Sequence, residues 1–419
     1  MADLRDNLTR REFLRGTCAA GAAALAGGAA GAGPAATAAD AVAAPAGGGG
    51  AAGAGGLTPT RALGKTGLKI PILGLGGEFD TVRNQVLLKQ AHALGVRFWD
   101  TAQEYVDSEK GYGEFLAKNP GLRKEIVLST KTLKRDPEGM SKELDGSLAT
   151  LKTDCVDLYF LHRLQNPNEL GDWQDMWKPW AEKAKKAGKI RFFGVSFHDN
   201  VMENMLAVAK AGWIDVAMFL CNFRVLGLSK FKKGMDAIKA AKLGTIAIKV
   251  QALGLASRPL SEAETQAMGD LTGKGYSEYQ ARLKLLWENP DVHSACCLMK
   301  NLAQLGENAA CAVDKAKLSA ADKAAWQRYA RATCAGYCAG CERICSGAMG
   351  GQVPVRDILR MLTYHNAYGD RERARRLFAA LDADVRGRLR SADYAAAERS
   401  CPQGVAIAAR MHEAARVLA

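Results

Sequence analysis

Two patterns of hydrophobic and polar residues alternate along the middle of the chain. Short runs rich in β-branched and other apolar residues are followed by longer stretches in which apolar residues recur every three or four positions. The short runs predict buried β-strands, and the longer stretches predict amphipathic helices. Eight runs are strand candidates: residues 70–75, 96–100, 126–131, 156–162, 190–196, 214–220, 244–249 and 294–299.

Helical patterns separate most of these strands, at residues 82–94, 140–151, 172–187, 200–211 and 229–241. Three of these patterns are followed directly by glycine (Gly95, Gly188 and Gly212), which is common just past a helix C-terminus. Strand and helix repeated eight times is the pattern of a (β/α)8 TIM barrel, an α/β fold. An open doubly wound sheet is disfavoured, because residues 74–77 lack the third glycine and the following helix of a dinucleotide fingerprint.

Ionisable side chains stand where three consecutive predicted strands end. Asp100 ends the second strand and Tyr105 follows it closely, while Lys131 and His162 end the third and fourth. The carboxyl ends of barrel strands meet at one mouth, where the chemistry of these folds takes place. A buried lysine and a buried aspartate also require each other, because an unpaired charge there is costly. We therefore predict that these four residues form a catalytic group.

The N-terminal residues differ in composition from the rest of the chain. The sequence TRREFLR at residues 9–15 precedes a mildly apolar Ala/Gly run and small-residue sites such as residues 36–38. This arrangement resembles a twin-arginine signal, so we expect export to the periplasm by the twin-arginine machinery. Residues 1–44 are assigned to the signal and 45–57 to a flexible Gly/Ala linker. The run is too poor in Leu to persist as a membrane span of the mature chain.

The net charge of +13 comes from lysines and arginines spread along the whole sequence. They lack the interleaved aromatic residues of a nucleic-acid motif, so we interpret them as solvated faces and expect no nucleic-acid partner. Residues 58–318 are assigned to the barrel, and residues 319–419 to a small helical C-terminal domain.

Five of the eleven cysteines have an unusual distribution near the C-terminus. Cys334, Cys338, Cys341 and Cys345 follow one another closely, and Cys401 stands apart in a Cys-Pro pair. Closely spaced thiolates are the soft ligands that an iron–sulfur cluster needs. We predict one 4Fe–4S cluster on Cys338, Cys341, Cys345 and Cys401, with Cys334 as the alternative fourth ligand. A structural zinc would take the same thiolates, and disulfides are a further alternative in an exported protein.

Residues 58–313 resemble the aldo/keto reductase family. The resemblance lies in the opening LGKTGL at 63–68, in the order and spacing of Asp100, Tyr105, Lys131 and His162, in GVS at 194–196 and in EN at 307–308. The cysteine segment is similar to the ferredoxin-like tail of one branch of that family, the branch with a twin-arginine signal. The ligands of that tail run together as C-x2-C-x2-C-x3-C-P, whereas here residues 346–400, which have a helical pattern, precede Cys401.

The resemblance implies hydride transfer from a nicotinamide cofactor to a carbonyl carbon at the barrel mouth. Tyr105 would be the general acid, and Lys131 would stabilise the developing phenolate. Asp100 would hold that ammonium in place, while His162 would orient the carbonyl oxygen. The expected cofactor-binding residues are Gly76, Ser196, Asn222, Lys249, Lys300, Asn301, Gln304, Glu307 and Asn308.

Two positions depart from the family's pattern. The asparagine usual after the serine is Phe197 here, and neither Met218 nor Leu220 supplies the usual glutamine of the sixth strand. Lys300 is the single cation in the polar run that would hold the adenosine and its 2′-phosphate, and it favours NADP(H) over NAD.

Together these features predict an exported NAD(P)-linked oxidoreductase that reduces a small carbonyl substrate or oxidises an alcohol. The 4Fe–4S cluster would relay electrons to or from a partner protein. The alternative is a non-catalytic barrel, kept as a binding or assembly module, with a structural zinc or iron–sulfur tail.

Overall fold

The computed structural model describes residues 56–252, 254–255 and 275–419. The described residues belong to one compact unit, residues 54–419. The predicted twin-arginine signal and nearly all of the predicted linker lie outside the described residues. In the part of the chain that is described, every helix is too short or too polar to cross a bilayer.

A short antiparallel hairpin, formed by β1 (Thr60–Ala62) and β2 (Lys69–Pro71), precedes the barrel. Eight parallel strands then close into a barrel, so the predicted (β/α)8 fold is confirmed. The barrel strands are β3 (Leu73–Gly76), β4 (Phe98–Asp100), β5 (Val127–Thr132), β6 (Val156–Leu161), β7 (Ile190–Phe197), β8 (Val216–Leu220), β9 (Gly244–Ile248) and β10 (Ser294–Leu298). They pair in chain order, and β10 closes the barrel against β3.

The first strand predicted from sequence, residues 70–75, is divided in the structure. Ile70 pairs in the hairpin, while Leu73 begins the barrel strand. Pro71 lies at the break, where the absence of a backbone N–H prevents continuous ladder pairing. The three glycines that follow predicted helices have left-handed backbone, with φ of 76° at Gly95, 72° at Gly188 and 75° at Gly212. These helix ends therefore need a residue without a side chain.

Helices cover the outside of the barrel. They are α1 (Gln85–Ala93), α2 (Ser108–Lys118), α3 (Pro137–Leu151), α4 (Pro167–Lys186), α5 (Val201–Ala211), α6 (Phe223–Leu226), α7 (Ser229–Ala240), α8 (Glu278–Trp287) and α9 (Leu302–Val313). The sequence pattern missed α2, because Gly111 and Gly113 interrupt its apolar stripe. Both glycines pack closely against neighbouring backbone: a Cβ on Gly113 would lie 2.1 Å from Thr150 O.

The C-terminal part is helical, with its own apolar core. Its helices are α10 (Ala320–Ala332), α11 (Glu342–Ala348), α12 (Val355–Asn366), α13 (Arg371–Ala379), α14 (Ala383–Arg388), α15 (Ala395–Ser400) and α16 (Ile407–Val417). A cluster of buried side chains that includes Ile358, Leu362, Phe378 and Met411 holds α12 to α16 together. The burial of such side chains is the main source of stability for a small helical domain of this kind.

Candidate active site

A buried ion pair lies at the carboxyl ends of neighbouring strands β4 and β5. The Nζ atom of Lys131 is 2.6 Å from Oδ2 of Asp100, and it also donates to the carbonyl of Thr101 at 2.6 Å. The hydroxyl of Ser129 donates to the other carboxylate oxygen, Oδ1 of Asp100, at 2.6 Å. Both charged side chains are almost completely buried. Each charge is compensated, which is the condition for keeping such a pair in a barrel interior.

Tyr105 lies directly over this pair, in the loop after β4. The Nζ atom of Lys131 is 5.0 Å from the centroid of the tyrosine ring, and the rings of Tyr105 and His162 are 6.0 Å apart and nearly perpendicular. Burial and the charges of Asp100 and Glu78 raise the pKa of Tyr105 well above its ordinary value of 10. The phenol is therefore protonated throughout the neutral range, which is the state that a proton donor needs.

His162 follows the last residue of β6 and faces Tyr105. Burial, together with the positive charges of Lys131 and Arg163, holds its pKa well below 6.5. Its Nδ1 atom is 3.2 Å from Oε1 of Glu104 without hydrogen-bond alignment, and Arg163 Nη2 is 2.8 Å from the same oxygen. At neutral pH His162 is an uncharged ring that can donate one hydrogen bond and accept another.

The structure thus brings Asp100, Tyr105, Lys131 and His162 to one mouth, as the strand ends predicted. It adds Cys296 of β10, which lies outside the C-terminal cysteine group that the sequence analysis singled out. Burial raises the pKa of the Cys296 thiol well above 9, and the neighbouring Asp100 carboxylate raises it further. Only the closure of β10 onto β3 brings this thiol to the site, so nothing in the local sequence signals it.

The inner residues predicted to bind cofactor are engaged by the protein itself. The Ser196 hydroxyl accepts a hydrogen bond from the backbone N–H of Arg163 at 3.3 Å. The amide of Asn222 donates to the hydroxyl of Tyr337 at 3.0 Å and to the carbonyl of Lys249 at 3.1 Å. Gly76 is the last residue of β3, and a Cβ there would lie 3.4 Å from the sulfur of Cys296.

The outer residues predicted to bind cofactor lie together at the start of α9. Asn301 caps this helix by accepting from the N–H of Gln304 at 2.9 Å, and the Gln304 side chain accepts from the N–H of Lys300 at 2.9 Å. Lys300, Asn301, Gln304 and Glu307 are exposed, and Asn308 is half-buried. A lysine beside a helix N-terminus suits a phosphate group, so this donor set fits the adenosine end of a phosphorylated dinucleotide.

One face of helix α12 packs against the barrel mouth. Arg356, Arg360 and Tyr364 are spaced four residues apart and therefore share a side of the helix. Arg356 Nη1 is 2.7 Å and Arg360 Nη2 is 2.5 Å from the two carboxylate oxygens of Asp199, just beyond β7. The sequence interpretation treated residues 346–400 as a helical insertion and missed these residues. Their four-residue spacing on an amphipathic helix was the available signal.

Two further contacts join the C-terminal domain to the mouth. Arg373 Nη1 is 2.6 Å from Oε1 of Glu78, in the loop after β3. The Nζ atom of Lys249, the residue after β9, is 5.9 Å from the ring centroid of Tyr364 and 5.9 Å from that of Tyr368. Together with Asp199 and the Asn222–Tyr337 bond, the C-terminal domain touches the loops that follow β3, β7, β8 and β9.

The four cysteines predicted to bind the cluster also come together. The charge of Cys401 acts on each of Cys338, Cys341 and Cys345, so the four thiols lie near one another. Burial raises the pKa of Cys338 to about 11 and that of Cys341 to about 12. Among the described residues, no two cysteines are joined by a disulfide.

Within the described ranges, no group of three or more His, Cys, Asp or Glu has the tight spacing of a ready metal site.

Comparison with known proteins gives one family. A sequence model of the aldo/keto reductase family matches residues 71–295, just over half of the chain. L-galactose dehydrogenase of Arabidopsis thaliana is 27% identical over 281 residues, which are 60% of this chain and 86% of that protein. The fission yeast aldo-keto reductase yakc [NADP(+)] is 33% identical over 160 residues, 33% of this chain and 45% of that protein.

Solved structures agree on the architecture. The holo form of an aldo-keto reductase from Bacillus halodurans has a TM-score of 0.55 at 22% identity, covering 65% of this chain and 96% of that one. An aldo-keto reductase from Klebsiella pneumoniae in complex with NADPH has a TM-score of 0.52 at 24% identity, covering 65% and 95%. At these identities the likeness concerns the fold.

Proposed function

The chain belongs to the aldo/keto reductase family and is an oxidoreductase of carbonyl and alcohol groups, and on that premise we propose that it is an exported, NADP(H)-linked enzyme with Tyr105 as general acid. The observation that carries this proposal is the buried Lys131–Asp100 pair beneath the Tyr105 ring, with a neutral His162 on the other side. A protonated phenol, a fixed cation and an uncharged hydrogen-bond donor face one space, as carbonyl reduction requires.

The residues of this chain would have distinct roles in carbonyl reduction. A bound reduced dinucleotide supplies the hydride that reaches the carbonyl carbon. The oxygen then becomes strongly basic and takes the proton from the Tyr105 hydroxyl. Lys131, held by Asp100, stabilises the phenolate that remains, because a cation lowers the cost of developing negative charge nearby. His162 donates to the same oxygen and fixes its position.

The preference for NADP(H) has two supports. Lys300 stands at the N-terminus of α9, where a 2′-phosphate would meet both a cation and backbone N–H groups. The names of the fission yeast relative and the Klebsiella pneumoniae structure refer to NADP(+) and NADPH. Cofactor binding by Asn222 lacks such support, since its amide already donates to Tyr337.

The test of this function is turnover. Purified full-length protein is assayed with NADPH and with NADH against a panel of small aldehydes and ketones, in parallel with Tyr105→Phe. We expect NADPH oxidation by the wild type and almost none by the variant. Equal rates in the two proteins would remove Tyr105 from its role.

We propose that the C-terminal domain holds one 4Fe–4S cluster on Cys338, Cys341, Cys345 and Cys401. A bound cluster passes single electrons. The position of the cysteines supports a relay of electrons between the barrel and a partner protein. Tyr337, next to Cys338, accepts a hydrogen bond from Asn222, just after β8. Anaerobic purification followed by iron, sulfide and zinc analysis tests this: about four irons per chain support the cluster, whereas one zinc and no iron would make the tail structural.

Export is proposed from the sequence at residues 9–15. A pair of lysines in place of Arg10 and Arg11 should keep the protein in the cytoplasm of a host with a twin-arginine system. Fractionation of cells that express either form measures this, and unchanged export of the Lys-Lys form would contradict the assignment.

A second function, a non-catalytic binding or assembly module, has one observation in its favour. The C-terminal domain contacts the loops after β7, β8 and β9 and engages Asn222, which was predicted to bind cofactor. Nucleotide released by denaturing the purified protein separates the two functions. Bound NADP(H) supports the enzyme, while a protein that neither carries nor binds a dinucleotide supports the module.

A further inference from the structure

The imidazole of His162 turns one of its two nitrogens toward a carboxylate. Its Nδ1 atom is buried and lies 3.2 Å from Oε1 of Glu104, without hydrogen-bond alignment. The two nitrogens stand on opposite sides of the ring, so Nε2 is the nitrogen left to face a substrate. A neutral imidazole carries one proton, and only a proton on Nε2 can then be donated to a carbonyl oxygen. The position of this proton therefore decides whether His162 acts as a donor.

An uncompensated carboxylate beside Nδ1 would draw the proton to the wrong nitrogen. A proton on Nδ1 would point toward the negative oxygen, whereas a bare Nδ1 lone pair would be repelled by it. Arg163 counteracts this bias, because its Nη2 atom donates a hydrogen bond to the same Oε1 of Glu104 at 2.8 Å. A charge-assisted hydrogen bond of this length is stronger than an unaligned contact at 3.2 Å. The oxygen that faces Nδ1 is therefore already paired with a cation.

The backbone of Arg163 is fixed in a conformation that few residues adopt. Its φ is 60°, in the left-handed region, which costs free energy for a residue with a side chain. The hydroxyl of Ser196 accepts from its N–H at 3.3 Å, and Arg135 donates to its carbonyl at 3.1 Å. Arg135 also donates to the carbonyl of His162 at 3.1 Å. Strained backbone that is held at several points is typical of functional sites.

The remaining groups around His162 keep the ring neutral. Burial and the surrounding positive charges hold the pKa of His162 well below 6.5, so the ring carries a single proton near neutrality. Glu104 is the carboxylate in this surrounding, and the loss of its partner Arg163 would act directly on Nδ1. The charged and titratable groups that face the ring come from the ends of four neighbouring strands: Glu104 and Tyr105 after β4, Lys131 and Arg135 in and after β5, Arg163 after β6, and His198 after β7.

We propose that Arg163 is a positioning residue of the reductase: by pairing with Glu104, it keeps the proton of His162 on Nε2, from which it is donated to the carbonyl oxygen. This inference rests on the proposed reductase function and deepens it by adding a residue that acts through His162. Glu104 directly precedes Tyr105, so the same pair also holds the loop of the general acid beside the histidine. The Glu104–Arg163 pair would thus align both side chains that meet the carbonyl oxygen.

Substitutions at this pair separate its charge from its structure. Arg163→Met leaves the Glu104 carboxylate facing Nδ1, while Arg163→Lys keeps a cation. Glu104→Gln added to Arg163→Met removes both charges and offers an amide donor to Nδ1. The Arg163 side chain is 41% exposed, so its loss leaves no large cavity. Arg191→Met is the matched control, since Arg191 pairs with Asp157 at 2.6 Å near the amino ends of β6 and β7, at the other end of the barrel.

Nuclear magnetic resonance of full-length protein labelled with 15N-histidine shows which ring nitrogen carries the proton. The chain has six histidines, and His162→Asn identifies the signals of this one. At pH 8 we expect the proton of His162 on Nε2 in the wild type and in Arg191→Met, and a protonated Nδ1 in Arg163→Met. A proton on Nδ1 in the wild type, or a bare Nδ1 in Arg163→Met, overturns the inference. A protein that reduces no carbonyl compound would contradict the proposed function but leave this test intact.

The pH dependence of kcat/KM, measured with NADPH and benzaldehyde, is the second readout. Arg163→Met should lose about 10²-fold at pH 8, where Nε2 of the neutral ring no longer donates. The loss should shrink toward pH 6, because a proton taken up by the ring or by Glu104 returns a donor to Nε2. Arg163→Lys should keep much of the wild-type rate, and adding Glu104→Gln to Arg163→Met should restore most of the loss. A loss that is equal at both pH values, or that Glu104→Gln does not relieve, overturns the inference.

Discussion

The guanidinium of Arg356, on helix α12, lies 2.7 Å from Oδ2 of Asp199, just beyond strand β7. The two side chains are only 4% and 5% exposed to solvent. Arg360 takes the other oxygen of the same carboxylate. One barrel aspartate therefore pairs with two cations of the C-terminal domain. A buried group of this kind is most sensitive to the loss of its shared member.

Removal of that carboxylate should destabilise the whole protein. Asp199→Ala removes the carboxylate that Arg356 and Arg360 share, while Arg356 keeps Asp357 at 2.5 Å from its Nη2, so the free energy of unfolding should fall by about 3 kcal/mol. Denaturant unfolding measures the change. Asp236→Ala is the control, since Asp236 is an exposed residue of helix α7 and its loss should cost little. Equal stability of the two variants would mean that the Asp199 contact adds nothing to folding.

Tyr105→Phe should separate proton transfer from binding. The loss of a general acid lowers turnover about 10²- to 10⁴-fold, while the affinity for NADPH should stay near that of the wild type. Steady-state kinetics and fluorescence titration with NADPH measure the two quantities. Tyr279→Phe is the matched control, because that ring is 52% exposed on helix α8.

Stability should decrease as the solution becomes acidic. Burial and neighbouring cations lower the pKa of both His162 and His198 well below 6.5. Below about pH 6.5 the unfolded chain binds protons at these rings and the folded chain does not, so the free energy of unfolding falls with pH. The loss continues until the pH reaches the lowered folded pKa values.

Denaturant unfolding at pH 7 and pH 5.5 measures this dependence. His198→Asn should reduce the slope, because one of the two rings no longer takes up a proton on unfolding. His412→Asn should keep the wild-type slope, since His412 is exposed on helix α16. A steeper slope in His198→Asn than in the wild type would reverse the assigned direction of the shift.

The fourth cluster ligand can be identified by substitution. Cys401→Ser should remove most of the iron, while Cys334→Ser should retain it, because Cys401 acts on the other three thiols and Cys334 does not. Iron content and the visible spectrum after anaerobic purification measure this. The opposite result would favour the contiguous set that includes Cys334. Cys155→Ser is the control for the loss of a thiol alone, because Cys155 lies in the barrel, directly before β6.

The sequence predicted the barrel because its signals are local. Each buried strand is a continuous apolar run, and Gly95, Gly188 and Gly212 end helices where a positive φ is needed. The positions of Asp100, Lys131 and His162 followed from one rule, that parallel strand ends share a mouth. Helix α2 was missed because its glycines are required by close packing, and such packing cannot be recognised from the local pattern.

The contacts of the C-terminal domain could not be predicted in the same way. Arg373 and Glu78 are 295 residues apart, and Arg360 and Asp199 are 161 apart, so no periodicity connects them. The engagement of Asn222 by Tyr337 likewise depends on how the barrel loops and the C-terminal helices pack together. The sequence located the cysteines but not their distance from the barrel mouth.

The four-residue spacing of Arg356, Arg360 and Tyr364 has a consequence for how this chain can evolve. A tail that only carried a redox group could be exchanged among related barrels, since a linker would be its single attachment. Here one helix face is matched to Asp199, Lys249 and the neighbouring loops, so either half would lose its fit in a new host. We expect the two parts to be inherited together, and a chimaera to succeed only if Glu78 and Asp199 are transplanted with the tail.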